Sequence, residues 1–95
     1  MNSVVINTCY GGFGLSKIAR DRYEELTGKE WETWLACRHE PALVQVVREL
    51  GEEAASGEYS DLDIREITGT QYWIEEHDGH ENLHTPENMR WITIE

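Results

Sequence analysis

The sequence is poor in cysteine, and this shortage excludes two common kinds of small domain. The only cysteines are Cys9 and Cys37, which stand singly and lack C-x-x-C spacing. Two such thiols make neither the disulfide framework of a small secreted domain nor the ligand set of a zinc motif. We expect both to be reduced and buried, where they behave as small hydrophobic groups.

Long hydrophobic runs are also missing. No apolar segment approaches the roughly 20 residues that a membrane-spanning helix needs. The opening MNSVVINT lacks the basic start and the long apolar core of a signal peptide. A hydrophobic share of 39% and a charged share of 28% are ordinary for a globular chain of 95 residues. We therefore expect one soluble cytoplasmic domain that spans residues 1–95.

Positive charge is scarce, and most of it lies in the first half of the chain. The sequence has 8 lysines and arginines against 19 acids, which gives a net charge of −11. Residues 1–48 contain six acids and six bases, whereas residues 49–95 contain thirteen acids and only Arg65 and Arg90. So few bases exclude a general binder of nucleic acid or of anionic membranes, because phosphate contacts need cations. The asymmetry predicts one acidic face.

Two segments have the pattern of amphipathic helices. Ser16 is a typical N-cap for a helix that follows it, and Gly28 supplies the stop. Pro41 suits the first turn of a second helix, which ends at Gly51. Residues at helical spacing that we expect to face the core are Ile18, Ala19, Tyr23, Leu26, Leu43, Val46, Val47 and Leu50.

Extended segments alternate with these helices. Residues 3–7, 62–67 and 89–94 read as strands, and Asp78-Gly79 is the dipeptide preferred in a type I′ hairpin turn. The tryptophan-rich residues 29–38 fit a helical face or a strand, and we favour a strand. Residues 52–60 read as a polar connector with one helical turn. The predicted fold is α+β: a small antiparallel sheet of about four to five strands, covered on one face by two helices.

A glycine-rich stretch, CYGGFGLS, joins the first strand to the first helix. A loop of this kind can present backbone N–H groups to an anion at a helix N-terminus. It lacks both the Walker spacing and the G-x-G-x-x-G pattern, so neither nucleotide motif is present. We favour a structural explanation, a tight turn in which Gly11, Gly12 and Gly14 adopt positive φ while Tyr10 and Phe13 enter the core. Under the ligand-binding alternative the site residues are Cys9, Tyr10, Gly11, Gly12, Phe13, Gly14, Ser16 and Lys17.

The predicted hairpin gathers histidines on one face. A two-residue turn pairs residue 77 with 80, 75 with 82 and 73 with 84, which places His77, His80 and His84 together with Glu75. His84 lies too far along the strand from His80 to share an ion, so we expect no metal and no cofactor. The opposite face pairs Ile74 with Leu83 toward the core.

The acids of the second half are the other candidate site. Nineteen carboxylates in so small a domain make any single catalytic pair uninformative, and we expect no enzyme activity and no catalytic residue. A solvated acidic face explains most of them, but such a face also presents negative charge where a nucleic-acid-handling protein expects phosphate. The predicted partner-binding residues are Glu49, Glu52, Glu53, Glu58, Asp61, Asp63, Glu66, Glu75, Glu76, Asp78 and Glu81, with Glu76 and Glu81 expected as an exposed cross-strand pair.

The segment VVINTCYGGFGLSKIA resembles the opening of a family of small uncharacterised proteins carried by bacteriophages and large DNA viruses. The similarity continues through EPALVQVVRELG, ASGEY, LDIREI and EEHDGHE, and the Glu40-Pro41 pair matches the acid-proline pair that opens the family's second helix. The family brings no activity or catalytic residue with it. The resemblance implies a viral setting in the cytoplasm of a bacterial host, where small acidic proteins often block defence proteins.

Two functions from different classes follow. The first is a non-enzymatic inhibitor, comparable to an anti-CRISPR protein, that acts as an acidic mimic of nucleic acid on a basic host protein. The second is a module that binds a small ligand or nucleotide at the loop of residues 9–16, for example to sequester a defence signal. The charge favours the first, while Lys17, Arg20 and Arg22 near the loop keep the second open.

Overall fold

The first strand lies between the two halves of the core. In this computed structural model, which describes residues 2–33 and 36–86, β1 (Asn2–Asn7) pairs antiparallel with β2 (Leu62–Ile67), and Val5 lies opposite Ile64. The β-branched run SVVINT favours this extended backbone. Its central valines and isoleucine are fully buried, so both faces of the strand are covered.

Three helices pack on one face of this sheet. They are α1 (Lys17–Thr27), α2 (Pro41–Leu50) and the single turn α3 (Glu52–Ala55). Neighbouring residues of a strand point to opposite faces, so Val5 turns toward the helices. It joins the larger apolar cluster there, which includes Tyr23, Trp31 and Leu43. The helix of the connector and both longer helices were predicted, and the structure confirms them.

The ends of α1 follow the predicted capping. The Ser16 hydroxyl accepts a hydrogen bond from the Ala19 N–H at 3.2 Å, and Gly28 stops the helix in the left-handed conformation at φ 70°. The inward face is narrower than predicted, because Ile18 is 64% exposed. Leu26, which was also predicted to face the core, is 36% exposed.

A second, smaller apolar cluster lies on the other face of β1. Val4 and Ile6 pack there with Ile67 against side chains of a hairpin made of β3 (Trp73–His77) and β4 (His80–His84). The register pairs Ile74 with Leu83 as predicted. Both residues of the Asp78-Gly79 turn have positive φ, at 52° and 90°, as a type I′ turn requires.

The α+β class is confirmed, but the described strands form two sheets of two strands each and not one larger sheet. The reason lies at the outer edge of β1. The Val5 N–H donates to the backbone carbonyl of Arg38 at 2.8 Å, and the Asn7 N–H donates to the Glu81 carboxylate at 2.8 Å. These acceptors occupy the donors that a third strand would use, so β4 lies beside β1 without a backbone ladder.

The segment of residues 29–38 does not form the predicted strand in the part that the structure describes. Trp31 is buried and packs edge-on against Tyr23 with 5.0 Å between ring centroids. The backbone N–H of Trp31 donates to the Glu24 carboxylate at 3.0 Å, so a residue of α1, and not a sheet, fixes the backbone there. The aromatic residues of this segment therefore indicated a buried position and not a β-strand. The strand predicted over residues 89–94 lies outside the described residues.

A buried ion pair joins the hairpin to the rest of the domain. The Glu81 side chain is only 6% exposed, and the Arg38 guanidinium donates to its two oxygens at 2.5 and 2.8 Å. The same guanidinium lies 3.6 Å from the centre of the Phe13 ring. Arg38 thus neutralises the carboxylate and covers an aromatic face at once. The prediction that Glu81 is an exposed partner of Glu76 is wrong, because the strand turns Glu81 toward β1.

Replacing Glu81 tests this junction. Glu81→Ala leaves the half-buried Arg38 without its carboxylate and the Asn7 N–H without its acceptor. We expect a loss of about 3 kcal/mol in the free energy of unfolding, measured by chemical denaturation. The matched control is Glu76→Ala, because Glu76 lies directly across the hairpin and is exposed. It should change stability by less than about 0.5 kcal/mol. Equal losses in the two variants would contradict the assignment.

A second polar contact joins α1 to the start of α2. The Tyr23 hydroxyl donates to the Glu40 carboxylate at 2.8 and 2.9 Å. Burial and then this carboxylate raise the pKa of Tyr23 to about 12. An acid whose pKa is raised on folding stabilises the fold while it is protonated. That contribution is complete below the unfolded value of about 10 and is lost as the pH rises toward 12.

Alkaline titration followed by tyrosine absorbance measures this contact. We expect a late step near pH 12, which Tyr23→Phe removes and which Glu40→Gln moves to lower pH. Glu40→Gln keeps the size of the side chain and removes only its charge, so it separates the two causes. If the late step persists in Tyr23→Phe, the assignment is contradicted.

Candidate functional site

The glycine-rich loop of residues 9–16 lies between the hairpin tip and the turn of residues 57–60. A Cβ on Gly11 would lie 1.8 Å from the Tyr59 carbonyl oxygen, and one on Gly79 would lie 2.7 Å from the backbone nitrogen of Gly12. Gly12 also has φ 109°, which favours glycine. Backbone therefore packs directly on backbone at both contacts, and two of the loop glycines have structural roles.

The side chain of Asn7 joins the glycine loop to the hairpin turn and to the entry of β2. This residue was not identified from the sequence. Its side-chain amide donates to the carbonyl oxygens of Cys9 and Gly79, at 2.8 and 2.7 Å. Its carbonyl oxygen accepts from the Asp61 N–H at 2.7 Å. The residue is fully buried, and both of its amide protons are used. A polar residue that ends an apolar strand run was the available signal.

Several predicted features of the loop are corrected. Tyr10 is 70% exposed instead of buried, and its ring lies 5.2 Å from that of His80. Phe13 is half-buried and packs on the larger cluster under Arg38. Neither Gly11 nor Gly14 has the predicted positive φ, and a Cβ on Gly14 would meet open space. The backbone of Tyr10 lies against Gly79, where a Cβ would be 2.8 Å from the Tyr10 carbonyl oxygen.

The predicted cysteine environment is also corrected. Cys9 is half-buried, and its Sγ lies 3.1 Å from the Tyr59 carbonyl oxygen and 3.4 Å from Asn7 Oδ1. Cys37 is exposed. Neither thiol lies in an apolar core, so both differ from the small hydrophobic groups that were expected.

The loop borders a cavity of about 340 Å³, which its glycines line together with Arg20 and residues 57–60. Two residues of the ligand-binding alternative are engaged elsewhere. The Ser16 hydroxyl donates to the Ala54 carbonyl at 2.7 Å, and the Lys17 ammonium pairs with Asp21 at 3.0 Å. Arg20 is therefore the cation of the described residues that the structure brings to this cavity.

Arginine side chains neutralise part of the predicted acidic surface. Arg22 binds Glu49 and holds the pKa of that carboxyl down to about 2. Arg48 binds Glu66 at 2.5 Å, and Arg65 pairs with Asp63. These contacts lie at the protein surface, where each ion pair contributes little to stability. They reduce the negative potential over α2 and the far end of β2.

One group of acids stays concentrated. Partial burial, then the neighbouring carboxyls of Asp63 and Asp61, raises the pKa of Glu52 above its usual range. Glu52 begins α3, and the two aspartates lie at the start of β2, which packs against that turn. Glu53 and Glu58 are exposed nearby in the chain. We call Glu52, Asp61 and Asp63 the acidic cluster.

The hairpin acids and histidines form a separate surface. Glu75, Glu76 and Asp78 are exposed, and Glu75 lies 3.3 Å from His84. His84 stacks on Trp73 with 5.2 Å between ring centroids, and His80 lies at the same distance from the Tyr10 ring with the two planes tilted by 35°. Within residues 2–33 and 36–86, no three histidine, cysteine, aspartate or glutamate side chains converge in a way that could hold a metal ion.

Comparison with known proteins gives no assignment. No protein-family model matches the chain, and no curated protein or solved structure matches it. Among the helices that the structure describes, none is long and apolar enough to cross a membrane.

Substitution of the loop glycines distinguishes packing from ligand binding. Gly11→Ala forces the Tyr59 backbone to move, and we expect a loss of about 2 kcal/mol in the free energy of unfolding. Gly14→Ala is the matched control, since it lies in the same loop with open space and ordinary φ. It should change stability by less than about 0.5 kcal/mol. Thermal and chemical denaturation measure both. An unchanged stability of Gly11→Ala would contradict the backbone contact.

Proposed function

We propose that this chain is a non-enzymatic acidic protein that binds a basic surface of a nucleic-acid-handling protein and inhibits it. The observation that carries the proposal is the acidic cluster of Glu52, Asp61 and Asp63. Burial and then the neighbouring carboxyls of Asp63 and Asp61 raise the pKa of Glu52, while Arg65, which pairs with Asp63, offsets part of this effect. A cationic partner surface stabilises the ionised carboxylates of the cluster.

The charge distribution supports a basic partner in particular. The net charge of −11 arises wholly in residues 49–95, and the acidic cluster lies within that half. Such a field steers a cationic protein toward the cluster and repels nucleic acid. The partner surface is then one that ordinarily binds phosphate. The protein acts as a nucleic-acid mimic, comparable to an anti-CRISPR protein, and the family resemblance supports a bacterial host cytoplasm as the setting.

The proposed binding surface is smaller than the one predicted from the sequence. Glu53 and Glu58 extend the acidic cluster, because both are exposed. Glu49, Glu66 and Asp63 already have arginine partners, so a cationic surface gains less by contacting them than by contacting Glu52 and Asp61. Glu81 is excluded by its burial. The hairpin acids Glu75, Glu76 and Asp78 stay available as a second contact area.

A second candidate function rests on the cavity beside the glycine loop. Its volume of about 340 Å³ lies within the range of small-ligand sites, and Arg20 offers one cation for an anionic group. Calorimetric titration of the wild type and of Arg20→Ala with nucleoside phosphates tests this candidate function. Saturable binding that this variant loses would favour the ligand module. The acidic surface proposal makes no use of Arg20, so the two candidates are separable.

Neutralising the acidic cluster tests the first proposal. Glu52→Gln with Asp61→Asn removes two charges without changing side-chain size. Immobilised protein is used to capture partners from a bacterial lysate, with identification by mass spectrometry. We expect the double variant to lose the partner that the wild type captures. Its thermal stability should be unchanged or raised, since a repulsion is removed.

The control is Glu30→Gln with Glu32→Gln, which makes the same change in net charge at two exposed residues of the first half. It should retain the partner. Duplex DNA should displace the captured protein in competition, because both ligands use its basic surface. Equal capture by the two double variants, or a partner indifferent to DNA, would show that the acidic cluster only keeps the protein soluble.

A further inference from the structure

The two thiols of the chain have different chemical surroundings. Cys9 is half-buried, and its Sγ contacts two oxygen atoms, the Tyr59 carbonyl and Asn7 Oδ1. Cys37 Sγ is exposed and lies 3.4 Å from Nε2 and 3.6 Å from Nδ1 of His39. The sulfur thus rests against the imidazole ring, close to both nitrogens. A protonated ring, whose charge is shared between those nitrogens, stabilises a thiolate at this position.

The imidazole is held in place by a third residue. His39 Nδ1 lies 2.6 Å from the Tyr72 hydroxyl, and the two rings meet edge to face at 84°. Burial, then the proximity of Cys37, raises the pKa of Tyr72, so its phenol keeps its proton. When the neutral ring carries its proton on Nδ1, it donates to the phenol oxygen and leaves Nε2 free to accept a proton, and the protonated ring keeps the same bond to Tyr72.

We propose that Cys37 is a site of covalent modification, at which His39 takes the thiol proton and a small disulfide is the reagent. Nucleophile, base and orienting group occur in the order that activated cysteines require. None of these residues belongs to the acidic cluster, so the inference is independent of the proposed function.

The reaction is a thiol–disulfide exchange. The Cys37 proton moves to Nε2 of His39, and the thiolate attacks one sulfur of the reagent. The reagent's S–S bond breaks as the new bond to Cys37 forms. The departing thiolate then takes the proton back from His39. The disulfide is reduced to one free thiol and one mixed disulfide, so no other oxidant is needed.

Cys37 is exposed, so a small reagent reaches its thiol from solvent. On its other side His39 lines a cavity of about 400 Å³ with Pro41, Val44 and Arg48, a volume in the range of small-ligand sites. The other charged or titratable groups near Cys37 and His39 are Tyr23 of α1, Arg48 and Glu49 of α2, Tyr72 before β3, and Arg38 and Glu40 of the same segment. The charged groups among these have partners of their own: Arg38 binds Glu81, Arg48 binds Glu66, Glu40 accepts from Tyr23 and Glu49 accepts from Arg22.

Reaction of the whole chain with oxidised glutathione tests the proposal. Intact-mass spectrometry follows the adduct, and peptide mapping locates it. We expect one glutathione at Cys37 near neutral pH, with Cys9 unmodified on the same timescale. His39→Gln keeps a polar side chain beside Tyr72 but removes the base. It should slow the reaction roughly tenfold or more near pH 7 and move the midpoint of the pH–rate profile upward.

Tyr72→Phe provides a second variant that leaves both reacting groups in place. It should slow the reaction less than His39→Gln does, because the imidazole is retained but no longer held. Circular dichroism confirms that each variant is folded. Modification of Cys9 at a rate equal to that of Cys37 would overturn the proposal. A pH–rate profile of folded His39→Gln that superimposes on that of the wild type would also overturn it.

Discussion

The buried carboxylate of Glu81 is the interaction on which the rest of this structure depends. It lies on the hairpin, yet its two oxygens bind the Arg38 guanidinium and the Asn7 N–H, which belong to the segment before α2 and to β1. A charged group taken out of water is stabilised only by such complete pairing. The hairpin therefore has one position relative to β1. Arg38 in turn fixes the segment that carries Cys37 and His39.

Asn7 extends the same junction to the glycine loop. Its amide binds backbone of the loop, of the hairpin turn and of the entry to β2, so three chain segments meet at one side chain. The glycines then permit the close approach that those bonds need. Gly11 and Gly12 therefore have structural roles, because both make close backbone contacts. Arg20 lines the cavity beside them.

Local patterns in the sequence predicted the elements well, and the long-range polar contacts could not be predicted. Ser16, Gly28, Pro41 and Asp78-Gly79 act within a few residues of their own position, so capping and turn chemistry identified them. Glu81 looked like any other acid of the second half, because its partner Arg38 is 43 residues away in the chain. Separations of 18 and 33 residues likewise hid the pairing of Arg48 with Glu66 and the contact of His39 with Tyr72. The tryptophan-rich segment misled because aromatic side chains report burial in strands and loops alike.

The central claim is that the Glu81 junction is as stable as the hydrophobic core and closes both halves of the domain together. Native-state hydrogen exchange of the Val5, Asn7 and Asp61 amides measures this directly, because their acceptors are Arg38, Glu81 and Asn7. The account predicts that these three amides exchange only through global unfolding, with the same opening free energy as the amides in the middle of α2. Exchange of the three at much lower opening free energy, while α2 stays protected, would show that the hairpin detaches on its own and would contradict the account.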